Sequence, residues 1–565
     1  MPTLPHATYS RTTIATALAT YQAALEAGKS HTEGAEAAQL PRTTLEYWRR
    51  RQATMTADPA VVAFFESPAG VEFLRQLVVA AHFCMSYVGN CGIRVVCQYL
   101  ELTGLAQFVG PSYGAQQIVS AELERLLAEF GDTERHRLGA QMPPKSIALC
   151  EDEAFHPQVC AVGIEPVSNF LVVEQYVENR KADTWTQVVD EATADLPVTI
   201  TQVTSDQGAG ICAHATQQLG VHQSPDIFHV QQDVTKGTSG ALAAQVRKAA
   251  SQVADAQARL TQQREAKARY EATSHGPGRP PRFATRIAQA AEAVQQVQAG
   301  LQQAQTRQAQ AAQARRQLST VYHPFDLETG AIQDAETVEQ ALRTQMAVVE
   351  QIATDAALSE RCQKHLSKAK RVIPQLVATI AFFWVTVRMR IDALALEPDL
   401  NAMVYTHLLP ALYLHRVADK TQDVGHRQQL RVRAATLLAP VLTRDGPWAR
   451  VSHHTLREVE QVVADCVEVF QRSSSCVEGR NGQLAFRRHA LHRIRPRRLA
   501  ALTVVHNYYL TRPDGTTAAE RFFGTAPQDV FAWLLERVEL PGRPAQKRPT
   551  TTSRKSFLSE AMTER

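Results

Sequence analysis

The sequence predicts an α/β core of five strands set into a chain that is otherwise helical. Three observations predict this. Residues 146–237 alternate short apolar, strand-like runs with helical stretches, in the order three strands, helix, strand, helix, strand. Residues 1–131 carry helical periodicity, and nearly every stretch between 238 and 472 reads as helix. A chain of 565 residues with 44% hydrophobic and 21% charged residues has the composition of a soluble protein with about three or four domains.

The net charge of +4 and pI near 8.5 are only mildly basic, so any signal for nucleic acid must lie in local clusters. Nine scattered cysteines, odd in number and without a CxxC pair, argue against a disulfide framework or a zinc ribbon and for a reducing cytoplasm. The longest apolar run, "LVATIAFFWVTV" from Leu376, falls short of the roughly 20 residues of a membrane span, and no secretory signal opens the chain. A soluble, cytoplasmic protein with no membrane partner is expected. No GxxxxGK[ST] loop is present, which excludes a P-loop nucleotide enzyme.

Residues 1–56 read as a helix-turn-helix DNA-binding domain. Ala35, Ala37 and Ala38 are small enough for two helices to cross closely, Leu40-Pro41 breaks the first helix, and Thr43, Leu45 and Trp48 recur at helical spacing on the second. Arg42, Thr43, Thr44, Arg49 and Arg50 are its candidate DNA contacts; a plain helical hairpin with a solvated basic end would carry the same pattern. Residues 57–131 form a second helical region, either packing domain or further DNA-binding domain. The hydrophilic "GDTERHRLGAQMPPKS" then reads as a connector.

In the core, "SIALCEDEAFHP" reads as an apolar strand ending in acids, and "VCAVGIEPVSNFLVVEQYVENR" as two strands joined by a Pro/Ser/Asn turn. "ADTWTQVVDEATADL" is a helix, "PVTITQVTSD" a strand ending in Asp206, "AGICAHATQQLG" a helix and "SPDIFHV" a last short strand that ends at His229. Strands 1 and 4 of this order can lie side by side, which would bring Asp152 and Asp206 together at one sheet edge. Two facing carboxylates repel, and a hard divalent cation, magnesium or manganese, removes that repulsion. Taken alone, an aspartate before a glycine, as at Asp206, is more often a turn or helix cap. Strand alternation puts Asp152 on one face and Glu151 and Glu153 on the other, and periodicity does not choose between them.

The order of these elements, with the acids where they stand, resembles the ribonuclease-H-like core of DDE transposases and integrases, and the flanking sequence resembles bacterial insertion-sequence transposases. Glu478 in "SSSCVEGRNGQLAFRRHALHRIRPRR" stands where such a core needs a third acid, with Asn481 one helical turn on, and "HNYYLTRPDGTTAAERFFG" resembles a segment near the end of such enzymes. The resemblance covers residues 146–237 and 473–524. It implies a ribonuclease-H-like core with a mixed five-stranded sheet, and two Mg2+ or Mn2+ ions held by Asp152, Asp206 and Glu478, with Glu153 or Glu151 as alternative first ligand. It further implies DNA cleavage and strand transfer at double-stranded terminal inverted repeats and target DNA, by a homodimer in the bacterial, nucleoid-associated cytoplasm. A catalytically inactive or domesticated DNA-binding protein, or a ribonuclease-H-like nuclease without strand transfer, would carry much of the same pattern.

His229 is a candidate auxiliary group beside the acids, or a structural histidine. From Gly479 to Pro513 there are eight arginines and no acid. Arg480, Asn481, Arg487 and Arg488 are therefore candidate DNA contacts, although Arg480 and Asn481 would equally serve to hold the helix of Glu478. The stretch 238–472 is then a helical insertion, with an Ala/Gln-rich coiled-coil hairpin over 239–318 that folds back at Gly276 to Pro281 and carries Arg279 and Arg282 at its tip. Residues 473–540 complete the core, and 541–565 read as a basic, disordered tail.

Overall fold

The computed structural model describes residues 9–543, apart from 156, 275, 277, 444, 445 and 492; all of the expected tail beyond residue 543 lies outside the described residues. The chain begins with three helices, α1 (Arg11–Glu26), α2 (His31–Ala37) and α3 (Arg42–Gln52). Ser10 caps α1, and Ser30 with Glu33 closes a capping box on α2. The turn between α2 and α3 places Gln39 at φ 53, and α3 then buries Leu45 and Trp48 against Leu18, Tyr21 and Ala35. Helices α2 and α3 are joined by a turn at the position of Leu40-Pro41, and with α1 they form a small three-helix unit with its own core.

Next come α4 (Pro59–Phe65), α5 (Pro68–His82), α6 (Ile93–Leu102) and α7 (Tyr113–Gly139). The connector read from "GDTERHRLGAQMPPKS" is helical as far as Gly139, because Glu134 and Leu138 continue the buried face of α7. Leu74, Val78, Leu123, Leu127 and Phe130 share one hydrophobic core with the sheet, so this region packs on the core and does not stand apart.

The sheet contains β1 (Lys145–Phe155), β2 (Val159–Glu165), β3 (Phe170–Tyr176), β4 (Val198–Ser205) and β5 (His222–Pro225) in the order β3-β2-β1-β4-β5. It is mixed, as expected: β2 runs antiparallel to both β1 and β3, while β1, β4 and β5 run parallel to one another. Helices α8 (Ala182–Thr193) and α9 (Ala209–Ala213) make the crossovers. Strand β1 is long because its first half pairs with β4 and its second half with β2. The edge strand β3 is covered by a side chain: Asn507 accepts from the Leu171 amide at 2.9 Å and donates to its carbonyl at 3.0 Å.

Strand β5 stops at Pro225. Asp226 caps the next helix, so "DIFHV", expected to be strand, opens α10 (Ile227–Glu271). The apolar residues Ile227, Val230 and Val234 are spaced for one helical face, and all are buried. Helix α10 thus runs unbroken from the sheet into the hairpin with α11 (Phe283–Val321). The seam is thin: on α11 only Val294, Ala304, Ala311, Ala314 and Leu318 are buried. The insertion continues through α12 (Ala335–Asp355), α13 (Glu360–Asp392), α14 (Pro398–Met403), α15 (Leu409–Lys420), α16 (Val424–Leu438) and α17 (His453–Val469), which form a second core. Helix α13 is long and apolar enough to cross a bilayer by length and composition, yet it buries Leu376, Ile380, Phe383 and Val387 inside this bundle. The chain then returns to the sheet as α18 (Ser475–Leu491), α19 (Pro496–Tyr508), α20 (Ala518–Phe523) and α21 (Val530–Arg537), with α18 against β1 and β2 and α19 against β3.

Candidate metal centre

The parallel pairing of β1 with β4 ends at Glu151 and Ser205, so Asp152 and Asp206 are the next residues on two adjacent strands. Asp152 lies inside β1 and not at its end, since β1 continues along β2. Alternation along β1 separates the three acids. Glu151 is fully buried, 3.6 Å from Nε2 of the equally buried His214. Glu153 accepts from Nε1 of Trp185 at 3.1 Å and pairs with Arg180, on the side of α8. Asp152 points the other way, toward α18, where its Oδ2 accepts from Nδ2 of Asn481 at 3.0 Å. The fold therefore decides what periodicity leaves open: Asp152 is the acid that faces Glu478, Glu153 is engaged by Trp185 and Arg180, and Glu151 is buried on the other face beside His214.

The environment of Asp152 is electronegative. Burial pushes its carboxyl up to about 6; the Glu153 amide and His229 pull it down, while Asp206 and Glu478 add to the rise. Burial also raises Glu478, with Asp226 adding to that and His229 opposing it. Asp206 makes the turn contact that the sequence offers as the alternative to a metal site. Its Oδ1 accepts from the Gly208 amide at 2.8 Å and so closes the turn into α9, while its second oxygen makes no hydrogen bond among the described residues. A β-carbon at residue 208 would lie 2.8 Å from that Oδ1 and would push the carboxylate out of this contact.

Three further facts complete the site. His229 belongs to the first turn of α10, and its Nε2 stands 3.9 Å from Oε1 of Glu478. Asp226, His229 and Glu478 each offer a ligand atom, and these atoms lie within 4.8 Å of one another. Asp206, Asp226 and His229 also line one cavity of about 160 Å³. Asp226 was missed in the sequence; its signal is an aspartate directly before an apolar run at helical spacing. Its oxygens are already engaged, Oδ1 by the Phe228 amide at 2.7 Å and Oδ2 by the amide and hydroxyl of Ser474 at 3.0 and 2.7 Å. Asp226 thus caps α10 and ties the start of the Glu478 helix to the end of β5.

Two of the arginines expected to touch DNA are structural. Arg480 is 4% exposed and grips the buried Glu174 through two bonds of 2.7 and 2.6 Å. Arg487 is 8% exposed and donates to the carbonyls of Ser86, Tyr87, Val88 and Gly89. A guanidinium has five donors, and both side chains spend theirs inside the protein. Asn481 likewise holds Asp152. Arg488 stays exposed while donating to the Phe155 carbonyl at 2.8 Å. On α3, Arg42, Thr43, Tyr47, Arg49 and Arg50 are exposed and Thr44 is half-buried; Arg42 is paired with Glu46 at 2.7 Å.

Residues 404–550 match a family described as a family of unknown function, DUF6399. That stretch runs from the second half of the insertion through the Glu478 helix to α21. No curated protein and no solved structure matches the chain.

The raised Asp152 carboxyl has a consequence for the metal-free protein. The folded state keeps this proton above the ordinary aspartate value of 3.8, so the contribution to stability is favourable at low pH and is lost as pH rises from about 4 through about 6. Asp152→Asn cannot ionise, and its single amide oxygen keeps one of the two bonds that Asp152 accepts, from Nδ2 of Asn481 or from the Glu153 amide. It is expected to raise the unfolding midpoint above that of the parent at pH 7.5 and to leave it unchanged at pH 4, read by thermal melts in chelator. Equal melting of the two proteins at pH 7.5 would refute the assignment.

Proposed function

We propose that the protein is a DDE-type DNA transposase, an endonuclease and polynucleotidyl transferase built on a ribonuclease-H-like core. The observation that supports this reading is that Asp152 and Asp206 follow the paired ends of two neighbouring strands, with Asp152 in the field of Asp206 and Glu478 and with His229 3.9 Å from Glu478. The ligand atoms that lie within 4.8 Å of one another are those of Asp226, His229 and Glu478, without Asp152 or Asp206. The mixed five-stranded order supports the ribonuclease-H-like reading of the core. The cavity is lined by Asp206, Asp226, His229 and Asp233, and its Lys368 is paired with Asp233; a hard cation such as Mg2+ or Mn2+ would offset the remaining acids, and carboxylate oxygens suit such an ion.

Bound there, a pair of such ions would supply Lewis-acid stabilisation for both the attacking and the leaving oxygen of a phosphodiester. The protein's own groups set the stage. Asp152 and Asp206 are fixed by the sheet register, Asn481 orients Asp152, and the Asp226–Ser474 clamp fixes Glu478. His229 lies close enough to Glu478 to meet a phosphate oxygen or a water. The helix-turn-helix would hold the terminal inverted repeats through α3, and joining two ends to target DNA calls for a homodimer. Such an enzyme works on chromosomal DNA in the bacterial cytoplasm.

The test is manganese-dependent cleavage and joining of a labelled duplex carrying the inverted repeats that flank the coding region. No cleavage of any such duplex by the parent protein would overturn the reading. For the DNA-binding unit, Arg49→Ala with Arg50→Ala is expected to weaken duplex binding. If each removes one phosphate contact, the slope of log affinity against log salt falls by about 2. An unchanged slope would remove α3 from the interface.

A further inference from the structure

A second cavity, of about 230 Å³, lies between the end of α15, the residue that follows α11 by two, and the stretch Phe470–Ser475 that leads into α18. Its wall is unusual in charge. Arg416, Lys420 and Arg472 all line it, and among the described residues the only carboxylate paired with any of them is Glu468, 2.9 Å from Nε of Arg416. Arg416 also donates from Nη1 to the Phe470 carbonyl at 3.1 Å, which leaves Nη2 buried without an acceptor. The Lys420 ammonium, at the exposed rim, has no acidic partner among the described residues. Desolvation of the ammonium against the wall, then Arg416, brings it down to about 8, with Glu468 opposing.

Hydrogen bonds turn the remaining wall into donors as well. Nη1 of Arg472 donates to the Ser319 carbonyl at 2.9 Å and to Nε2 of His323 at 2.6 Å. His323 must therefore accept at Nε2 and carry its proton on Nδ1, which lies 2.5 Å from the Tyr413 oxygen. Burial and the neighbouring Arg472 hold this histidine well below its usual range, in keeping with the neutral ring. Tyr413 then accepts from His323 and has its own O–H left to donate. Nε and Nη2 of Arg472 make no hydrogen bond among the described residues. The cavity thus presents unused donors from the Arg472 guanidinium, the Lys420 ammonium and the Tyr413 phenol, with the Arg416 guanidinium buried in its wall.

We propose that this cavity is a binding site for a phosphate group. A tetrahedral dianion offers several acceptors to match these donors, and its charge offsets the surplus of cations, which burial makes costly when left alone. The volume lies below the roughly 300–1,000 Å³ of sites that enclose drug-sized ligands, which suits a phosphate or the phosphoryl end of an ester. Occupancy would brace the Phe470–Ser475 stretch, whose Ser474 is held by Asp226. The site stands on these contacts whether or not the acids around Glu478 bind cations.

The phosphate has two possible sources, a free phosphate or small ester and the backbone of a bound nucleic acid. Orthophosphate is titrated into the full chain at constant ionic strength against chloride, with unfolding midpoint and calorimetric heat as readouts. A 20-base-pair duplex is titrated in parallel without divalent cations. For a free phosphate, a saturable orthophosphate effect is expected that Lys420→Ala weakens at least 10-fold, with duplex binding unchanged. For a backbone phosphate, Lys420→Ala weakens duplex binding at least 10-fold and orthophosphate competes with the duplex. Arg416→Met is the second variant in both arms and is expected to act in the same direction. If orthophosphate does no more than chloride and duplex binding is unaffected by either variant, or if the orthophosphate effect survives both, the proposal is overturned.

Discussion

Asp206→Asn is expected to abolish manganese-dependent cleavage and joining, lowering the rate at least about 1,000-fold, while the protein stays folded and binds duplex as before. Loss of a group that merely supports a metal ligand costs about 10–100-fold, and a direct ligand should cost more. Asparagine is chosen because, on the transposase reading, Asp206 would have two jobs. Its Oδ1 closes the turn to Gly208, a bond that an amide oxygen can still accept. Only the charge and the second oxygen are lost. Asp206→Ala removes both jobs and is expected to be as inactive, with some loss of stability in addition. Near-parental activity in the asparagine variant would mean that the carboxylate is only a cap, and the transposase reading would then lose its central support.

Arg480→Ala is expected to cost about 3–5 kcal/mol of stability, the range for breaking one half of a buried ion pair. Glu174 is fully buried; burial alone would raise its carboxyl, but the charge and hydrogen bonds of Arg480, with the Thr503 hydroxyl at 2.5 Å, hold it below the ordinary range. A lowered folded value means that this stabilisation is present above the unfolded pKa and is lost as pH falls through the folded one. The parent should therefore lose stability in acid more steeply than a Glu174→Gln, Arg480→Met double variant, which leaves no charge stranded. Chemical denaturation at pH 7 and pH 4 reads both effects. Where the single variant is still folded, the salt slope of its duplex binding should match the parent. A reduced slope with unchanged stability would restore Arg480 as a DNA contact.

Much of this arrangement is legible in the residues themselves. The alternation of apolar runs from Lys145 to Pro225 marks five strands and their intervening helices, because strand and helix bury side chains at different periods. Ala35, Pro41 and Trp48 mark α2, α3 and the turn between them for a similarly local reason. Where two local patterns compete, the sequence misleads: "DIFHV" is apolar enough for a strand, yet the cap at Asp226 and the spacing of Ile227, Val230 and Val234 favour helix. The arginines after Glu478 mislead differently. A run of cations looks like a phosphate-binding surface until the acid or carbonyls that receive it are known, and Glu174 lies 306 residues from Arg480.

The sequence by itself determined the kinds of element, their order and the short list of acids, since these follow from periodicity, capping and turn chemistry within a few residues. Only the tertiary structure decided which face of β1 looks toward α18, and hence that Asp152 and not Glu151 or Glu153 faces Glu478. It alone revealed Asp226 as the clamp, and it separated arginines with buried partners from those left in solvent. The physical reason is that charge and hydrogen bonding are settled by what surrounds a side chain in space, and along the chain those surroundings are hundreds of residues apart.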